Sequence, residues 1–290
     1  MRSNPADYEL LAPANLKSIL SILADEPGTR RPIAGGTDLM VQYAAGNLAI
    51  RKLVSIWNLP ELRHIEALPD EVRIGAGSTY TDLRASKMIR SEFPLLAIAA
   101  SWTGGIANQN RGTIGGNIVN ASPAGDSLPA LLVYEAELVL VSVRGERRVP
   151  YATFHTGYRK TRLEPDELIL EVCLRPRYSE YQTYARKVGP RNAQAISKVC
   201  VAAMARLADG VVDDIRIAMG SVAPIPLRLK ETENTIRGCR IDPALVSGVK
   251  QRAAAEIQAI DDLRSTARYR TAVTGNLVAE LLNRVAGNVP

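Results

Sequence analysis

Leu16, Ile19, Leu20 and Leu23 recur at i, i+3, i+4 and i+7, which predicts an amphipathic helix stopped at Pro27-Gly28. A short strand is expected around Pro32-Ile33-Ala34, then a glycine turn, then a helical run through Leu39, Met40 and Tyr43. Residues 53–56 and 72–74 read as strands, and 81–101 as helix restarted at Pro94. Residues 128–134 are apolar enough to form a buried helix, and 137–141 and 168–172 read as strands. Beyond Arg177 the texture changes. Strand-like runs at 181–188, 199–207 and 215–221 are separated by Gly-Pro or Asp-Gly turns, the pattern of an antiparallel meander. Two helices are expected to close the chain, the last with Val273, Leu277, Val278, Leu282 and Val285 on one face. The expected division is 1–177, itself two α/β parts of about 1–58 and 59–177, followed by 178–290.

Composition narrows the functional classes. At 290 residues with 46% hydrophobic and 23% charged positions, the chain has the balance of a globular protein with a sizeable core. Its net charge of +6 is scattered among acids rather than collected in a block, which argues against nucleic acid. The tightest cluster, Arg144-Gly145-Glu146-Arg147-Arg148, contains a glutamate and is expected as a turn between strands. Cys173, Cys200 and Cys239 are far apart and show no C-x-x-C pairing, so a metal or cluster site is not expected in this chain. Cys173 and Cys200 read as core packing, and the isolated His64 and His155 as hydrogen-bonded structural residues. The stretch Met1-Arg2-Ser3-Asn4-Pro5 is polar, and no apolar run reaches the ~20 residues of a membrane span. A cytoplasmic location is expected.

Two glycine turns stand about eighty residues apart: Ala34-Gly35-Gly36-Thr37-Asp38-Leu39 and Thr113-Ile114-Gly115-Gly116-Asn117. Paired glycines permit positive φ and let a ligand approach main-chain N–H groups. Successive N–H groups in one concavity make an anion nest, and a helix behind it adds partial positive charge. Two nests facing one another would grip a diphosphate from both sides, so the pair reads as a dinucleotide clamp. Neither turn has G-x-G-x-x-G spacing or a Walker lysine, and either alone reads first as a tight turn; it is their joint occurrence that favours a ligand. Thr37 can cap the following helix or donate to phosphate. Asp38 is expected in the first turn of that helix and facing away from an anionic ligand, which a carboxylate would repel.

The two turns, with Asn110-Arg111-Gly112 before the second, resemble the FAD-binding (medium) subunit of molybdenum hydroxylases, the family of bacterial xanthine, nicotinate and carbon monoxide dehydrogenases. Further matching segments follow in order: Ala121-Ser122-Pro123-Ala124-Gly125-Asp126, Thr156-Gly157-Tyr158-Arg159-Lys160-Thr161, Arg186-Lys187-Val188-Gly189 and Ala195-Ile196-Ser197. The resemblance implies an α+β fold: a vanillyl-alcohol-oxidase/PCMH-type FAD-binding domain and a CO dehydrogenase flavoprotein-like C-terminal domain of antiparallel sheet plus helices. It implies FAD cradled by Ile33, Ala34, Gly35, Gly36, Thr37, Asp38 and Leu39 on one side and by Thr113, Ile114, Gly115, Gly116 and Asn117 on the other. Asp126 would accept a hydrogen bond from the ribityl or adenosine side, Ile169 would contact a ring, and Lys187 would lie near the isoalloxazine. The residues themselves equally allow Asp126 as a helix N-cap before Ser127 and Lys187 as a solvated strand residue. Tyr158-Arg159-Lys160 reads as a loop at a subunit contact. Gln109 departs from the arginine expected two residues before Arg111, which unsettles any contact made there.

The implied function is electron transfer without a catalytic side chain or a metal in this chain. A molybdopterin-binding large subunit would oxidise the substrate, a small subunit with [2Fe-2S] clusters would relay electrons, and FAD would pass them to NAD⁺ or another acceptor. A dimer of heterotrimers is the expected assembly. A 4-hydroxybenzoyl-CoA reductase β subunit would need four cysteines for its extra [4Fe-4S] cluster, and this chain has three. Two other readings stand beside this one: a self-contained flavoenzyme of the same fold, similar to UDP-N-acetylenolpyruvoylglucosamine reductase, and a non-enzymatic binding or assembly protein.

Overall fold

Asn15 opens the first helix by accepting the amide of Ser18 at 2.9 Å, and Ile19, Leu20 and Leu23 are its buried face. The computed structural model describes residues 4–191 and 194–287, so Met1, Arg2 and Ser3 of the polar N-terminal stretch lie outside it. The first part contains β1 (Glu9–Leu11), α1 (Leu16–Asp25), β2 (Arg30–Ile33), α2 (Leu39–Ala44) and β3 (Lys52–Ser55). The strands form a parallel sheet in the order β1-β3-β2. Parallel pairing places all three strand C-termini on one edge, and at that edge β2 runs directly into the first glycine turn.

The middle part comprises β4 (Ile65–Ala67), β5 (Val72–Gly75), α3 (Tyr80–Ala85), α4 (Lys87–Glu92), α5 (Pro94–Trp102), α6 (Ile106–Gln109), α7 (Ile114–Asn120) and α8 (Leu128–Val133), then β6 (Glu137–Ser142), β7 (Gly145–Pro150), β8 (His155–Gly157), β9 (Lys160–Thr161) and β10 (Leu168–Leu174). Five of its strands make an antiparallel sheet ordered β4-β5-β10-β6-β7, and β8 and β9 form a separate hairpin. The stretch 81–101, expected as helix restarted only at Pro94, breaks once more at Ser86. Extended backbone there (φ −65°, ψ 120°) ends α3, while the Ser86 hydroxyl accepts the Ile89 amide and starts α4. The Arg144–Arg148 cluster is not only a turn: the chain reverses at Val143-Arg144 and continues as β7, with Arg147 opposite Leu140 and Arg148 opposite Val139. Strand structure is tolerated because Arg147 pairs with Glu167 and Arg148 with Glu71.

The last part contains β11 (Gln182–Val188), β12 (Val199–Ala208), β13 (Val211–Gly220), β14 (Leu227–Arg228), α9 (Lys230–Ile236), α10 (Pro243–Glu256) and α11 (Ala267–Val285). The strands form an antiparallel sheet in sequence order, and three helices follow it rather than the two expected. Strand β12 is buried on both faces. Val199, Val201, Ala203 and Ala205 pack with Leu277, Leu281 and Leu282 of α11, while Ala202 and Met204 join the core of the middle part beside α8. Every residue of α8 is buried, because β12, β13 and β14 cover it and α5 packs on it as well. The same alternation in β11 turns Tyr184 toward the C-terminal helices and Ala185 toward the middle part, and Lys187 follows Ala185.

Arg148 and Arg73 together hold the Glu71 carboxyl at a pKa of about 2, with Arg148 contributing most. A carboxyl depressed in the folded state stabilises the fold above its ordinary pKa and loses that contribution as pH falls through its folded value. Urea titrations are therefore expected to show stability declining from about pH 4.5 toward about pH 2, and Glu71→Gln should flatten that decline.

Candidate functional site: a cleft between two glycine turns

The two turns touch. A Cβ on Gly35 would lie 1.6 Å from the carbonyl oxygen of Arg111, so only glycine permits the first turn to rest on the segment leading into the second. Gly36 follows with φ +76°, the left-handed value that swings the chain into α2. Arg111 reinforces the contact: its guanidinium lies 3.9 Å from the centre of the Trp57 ring and its Nε is 3.5 Å from the Gly35 carbonyl.

The two turns differ in what their amides can still do. In the second, Ile114 N–H donates to Ser78 O, Gly115 N–H to Ala76 O, Gly116 N–H to the Thr113 hydroxyl and Asn117 N–H to Thr113 O, all at 2.9–3.1 Å. Thr113 thus caps α7, and the turn is sewn to the loop between β5 and α3. In the first turn, among the described residues, no hydrogen bond takes the N–H of Gly35, Gly36, Thr37, Asp38 or Leu39. Half-buried main-chain donors need acceptors, so this turn is the open anion nest and the second is not. The expected pair of facing nests is thus one nest and one glycine-smoothed wall.

A cleft of about 440 Å³ runs along this junction, within the usual size of cofactor sites. Ala34, Gly35, Gly36, Thr37, Asp38 and Leu39 line it, as do Thr113, Gly115, Gly116, Asn117 and Ile169. Thr37 is exposed and makes no capping bond; Asp38 holds the cap position of α2, also without one. Asp38 lines the cleft as a residue. Its carboxylate accepts from Gln42 and, at 3.5 Å, from Asn120 of α7, which offsets its charge and ties the helices behind the two turns together. The side-chain oxygen of Asn117 is buried without a hydrogen-bond partner among the described residues. Ile33 and Ile114 face the core rather than the cleft: Ile33 packs beneath Leu39 and Leu53, and Ile114 is fully buried.

Asp126 and Lys187 do not line the cleft; they find each other. Lys187 Nζ lies 2.6 Å from Asp126 and 2.9 Å from the Trp102 carbonyl, and the Ser197 hydroxyl donates to the other Asp126 oxygen. Burial pushes the Asp126 carboxyl above its usual range, against the opposing pull of Lys187. Ser127, not Asp126, occupies the position before α8, and no side chain caps that helix. The network nevertheless reaches the cleft through Trp102, since the adjoining Thr103 and Gly104 line it with Asn108. Sequence periodicity in β11 carried a signal for this: Lys187 shares a face with Ala185, which packs on the middle part.

Gln109 is buried, donates to the Ser101 carbonyl at 2.9 Å and accepts from Arg84, so its contact is internal. His155 is buried against the Ile118 carbonyl with its pKa lowered by burial, and His64 meets Glu171 at 3.1 Å. Tyr80 is a cleft residue that sequence reasoning missed; its hydroxyl meets that of Ser127 at 3.0 Å. Residues that reach the cleft without a motif, such as Ile56, Leu163 and Pro165, carried no such signal in the sequence. The Tyr158 hairpin tip is exposed. Among the described residues no group of three or more His, Cys, Asp or Glu could hold a metal ion, and no helix is long and apolar enough to cross a membrane.

Gly35→Ala should push the two turns apart, lowering stability by about 1–3 kcal/mol. Calorimetry of this variant, with and without added FAD, is expected to show a lowered Tm and weakened FAD uptake together.

Comparison with known proteins places this geometry. Residues 6–176 match the family described as FAD binding domain in molybdopterin dehydrogenase, and residues 184–285 match the CO dehydrogenase flavoprotein C-terminal domain. The chain is 32% identical over 282 residues to the xanthine dehydrogenase FAD-binding subunit of Escherichia coli O157:H7, covering 95% of this chain and 96% of that one. It is 30% identical over 279 residues to the carbon monoxide dehydrogenase medium chain of Hydrogenophaga pseudoflava, covering 96% and 97%. The solved structure of carbon monoxide dehydrogenase from Hydrogenophaga pseudoflava, in a form lacking the Mo-pyranopterin moiety, superposes with a TM-score of 0.92 at 29% identity over 98% of both chains. With a glycine-only junction, an open nest and both domain families in sequence order, the chain belongs to the FAD-binding medium subunits of the molybdenum hydroxylases.

Proposed function

We propose that this chain is the electron-relay subunit of a multisubunit molybdenum hydroxylase. It takes electrons from the [2Fe-2S] clusters of a small partner subunit, fed by a molybdopterin-binding large subunit, and delivers them to NAD⁺ or another acceptor. The working assembly is a dimer of heterotrimers in the cytoplasm. The observation that carries the reading is the row of five unclaimed amides from Gly35 to Leu39 facing a cleft of cofactor size. Relatives named as FAD-binding subunits or medium chains of dehydrogenases support it.

The residues present fit FAD. The first-turn amides supply the donors a diphosphate requires, and the glycines of the second turn leave the opposite wall flat. Bound FAD supplies a centre able to exchange one or two electrons. The chain's own residues hold and tune it. Asn108 offers an amide to the cleft, while the Thr103 hydroxyl donates to the Ala99 carbonyl. Behind that wall Lys187 forms a buried ion pair with Asp126 and donates to the Trp102 carbonyl, which fixes the backbone leading to Thr103. Ser197 and Asp126 keep that ammonium in place.

Purified chain incubated with FAD should retain it and show the two visible absorption bands of oxidised flavin. The chain isolated from its native host should carry two partner subunits, and substrate should bleach those bands only when both are present. Colourless protein after incubation, or full substrate turnover by the single chain, would contradict the proposal.

A further inference from the structure

The last part of the chain carries a second concavity, in which no residue of the cleft takes part. Helices α10 and α11 pack against each other, and a groove of about 510 Å³ runs between them. Each helix lines it with one face, from Ser247 to Ala254 on α10 and from Arg268 to Gly275 on α11. Gly275 brings the helices into contact, since a Cβ there would lie 2.7 Å from the Lys250 carbonyl oxygen. Toward the loop 257–266 that joins the helices, Ile260 and Leu263 are left exposed.

Charge in the groove is one-sided. Lys250 and Arg268 line it and no acid does. Among the described residues neither cation makes an ion pair or a side-chain hydrogen bond. The acids of this helix pair are engaged with backbone instead. Asp242 accepts the Leu245 amide at 2.7 Å, and Glu256 accepts those of Glu231 and Thr232. Asp261 accepts the Ala267 amide, and Asp262 those of Arg264 and Ser265. Buried Arg270 then clamps the joining loop by donating to Asp262 and to the carbonyls of Lys198 and Ser221. Exposed Leu263 therefore stands on a fixed backbone.

We propose that this groove receives an acidic helix of a partner subunit. The proposal rests on the reading of the chain as one subunit of a complex and deepens it by assigning a docking face. Ala272 and Gly275 leave the groove open to a third helix, which would pack as helices do into a groove between two others. Lys250 stands at Gly275, seven residues and about 10 Å along α11 from Arg268. Carboxylates two turns apart on one helix face match that spacing, and each would meet a cation that has no partner within the chain. Ile260 and Leu263 supply apolar anchors beside the charged contacts. A second copy of the same face would set cation against cation, so the occupant is a different chain.

Assembly of the complex tests this. Sedimentation of the wild-type chain with its partner subunits should show one partner held in a salt-sensitive way. Lys250→Glu with Arg268→Glu, and separately Leu263→Asp, should each weaken that partner about tenfold or more, whereas Lys250→Arg with Arg268→Lys should keep it within about twofold. Circular dichroism and FAD uptake of the free chain should be unchanged in all of them, because none of these residues lines the cleft. Lys17→Glu with Lys87→Glu reverses two exposed cations elsewhere and should leave assembly intact. Full assembly of both groove variants, equal loss with the Lys17 and Lys87 control, or a wild-type chain that pairs with itself through the groove would overturn this inference while leaving the subunit reading standing. A wild-type chain that associates with no partner would overturn both.

Discussion

The closest main-chain approach at the site, Gly35 against the Arg111 carbonyl, determines the rest. At that separation no side chain can stand on Gly35, so a parallel sheet from one part of the chain and a helical segment from another meet backbone to backbone. The cleft is the space left on either side of that seam. Trp57 and Arg111 close the seam on one flank, and the Asp38–Asn120 hydrogen bond holds the two following helices on the other. Loss of the approach would widen the cleft and disperse the row of amides that makes it a site.

Similar sequence does not give the two glycine turns similar roles. The second spends its amides on Ser78, Ala76 and its own cap, which anchors the chain there to the loop between β5 and α3. Its glycines serve packing: a Cβ on Gly115 would overlap Ala76. The first has no neighbouring strand to absorb its donors, since β2 is the edge of its sheet and ends where the turn begins. Donor groups remain available where the protein's own structure cannot reach them.

Much of this was legible in the residues. Periodicity located α1 and α11, and apolar runs located α8 and the strands β6 and β10 to β13. Strands β1, β4, β8 and β9 span two or three residues each, too few for any period, and owe their existence to partners elsewhere in the fold. Charged β7 looked like a turn because its compensation by Glu71 and Glu167 is long-range. Within the site, the glycine motifs marked the cleft, but which amides were spent depended on contacts with Ala76 and Ser78, invisible along the chain. The Asp126–Lys187 pairing is likewise a product of how β11 meets α5, although the alternation of β11 hinted at the direction.

The lobe that bears the open nest is thinly cored. Beneath the nest only Leu39, Leu48 and Leu53 form a buried cluster among the described residues, helped by Tyr8, Ile33 and Tyr43, while α1 and Val54 pack in a separate cluster with Val141 and Leu168; α2 leaves Met40 and Val41 exposed. A nucleotide diphosphate seated on its five amides would therefore supply a large share of what holds this lobe closed. Release of the nucleotide and local unfolding of the segment from β2 to β3 become linked equilibria, each drawing the other along.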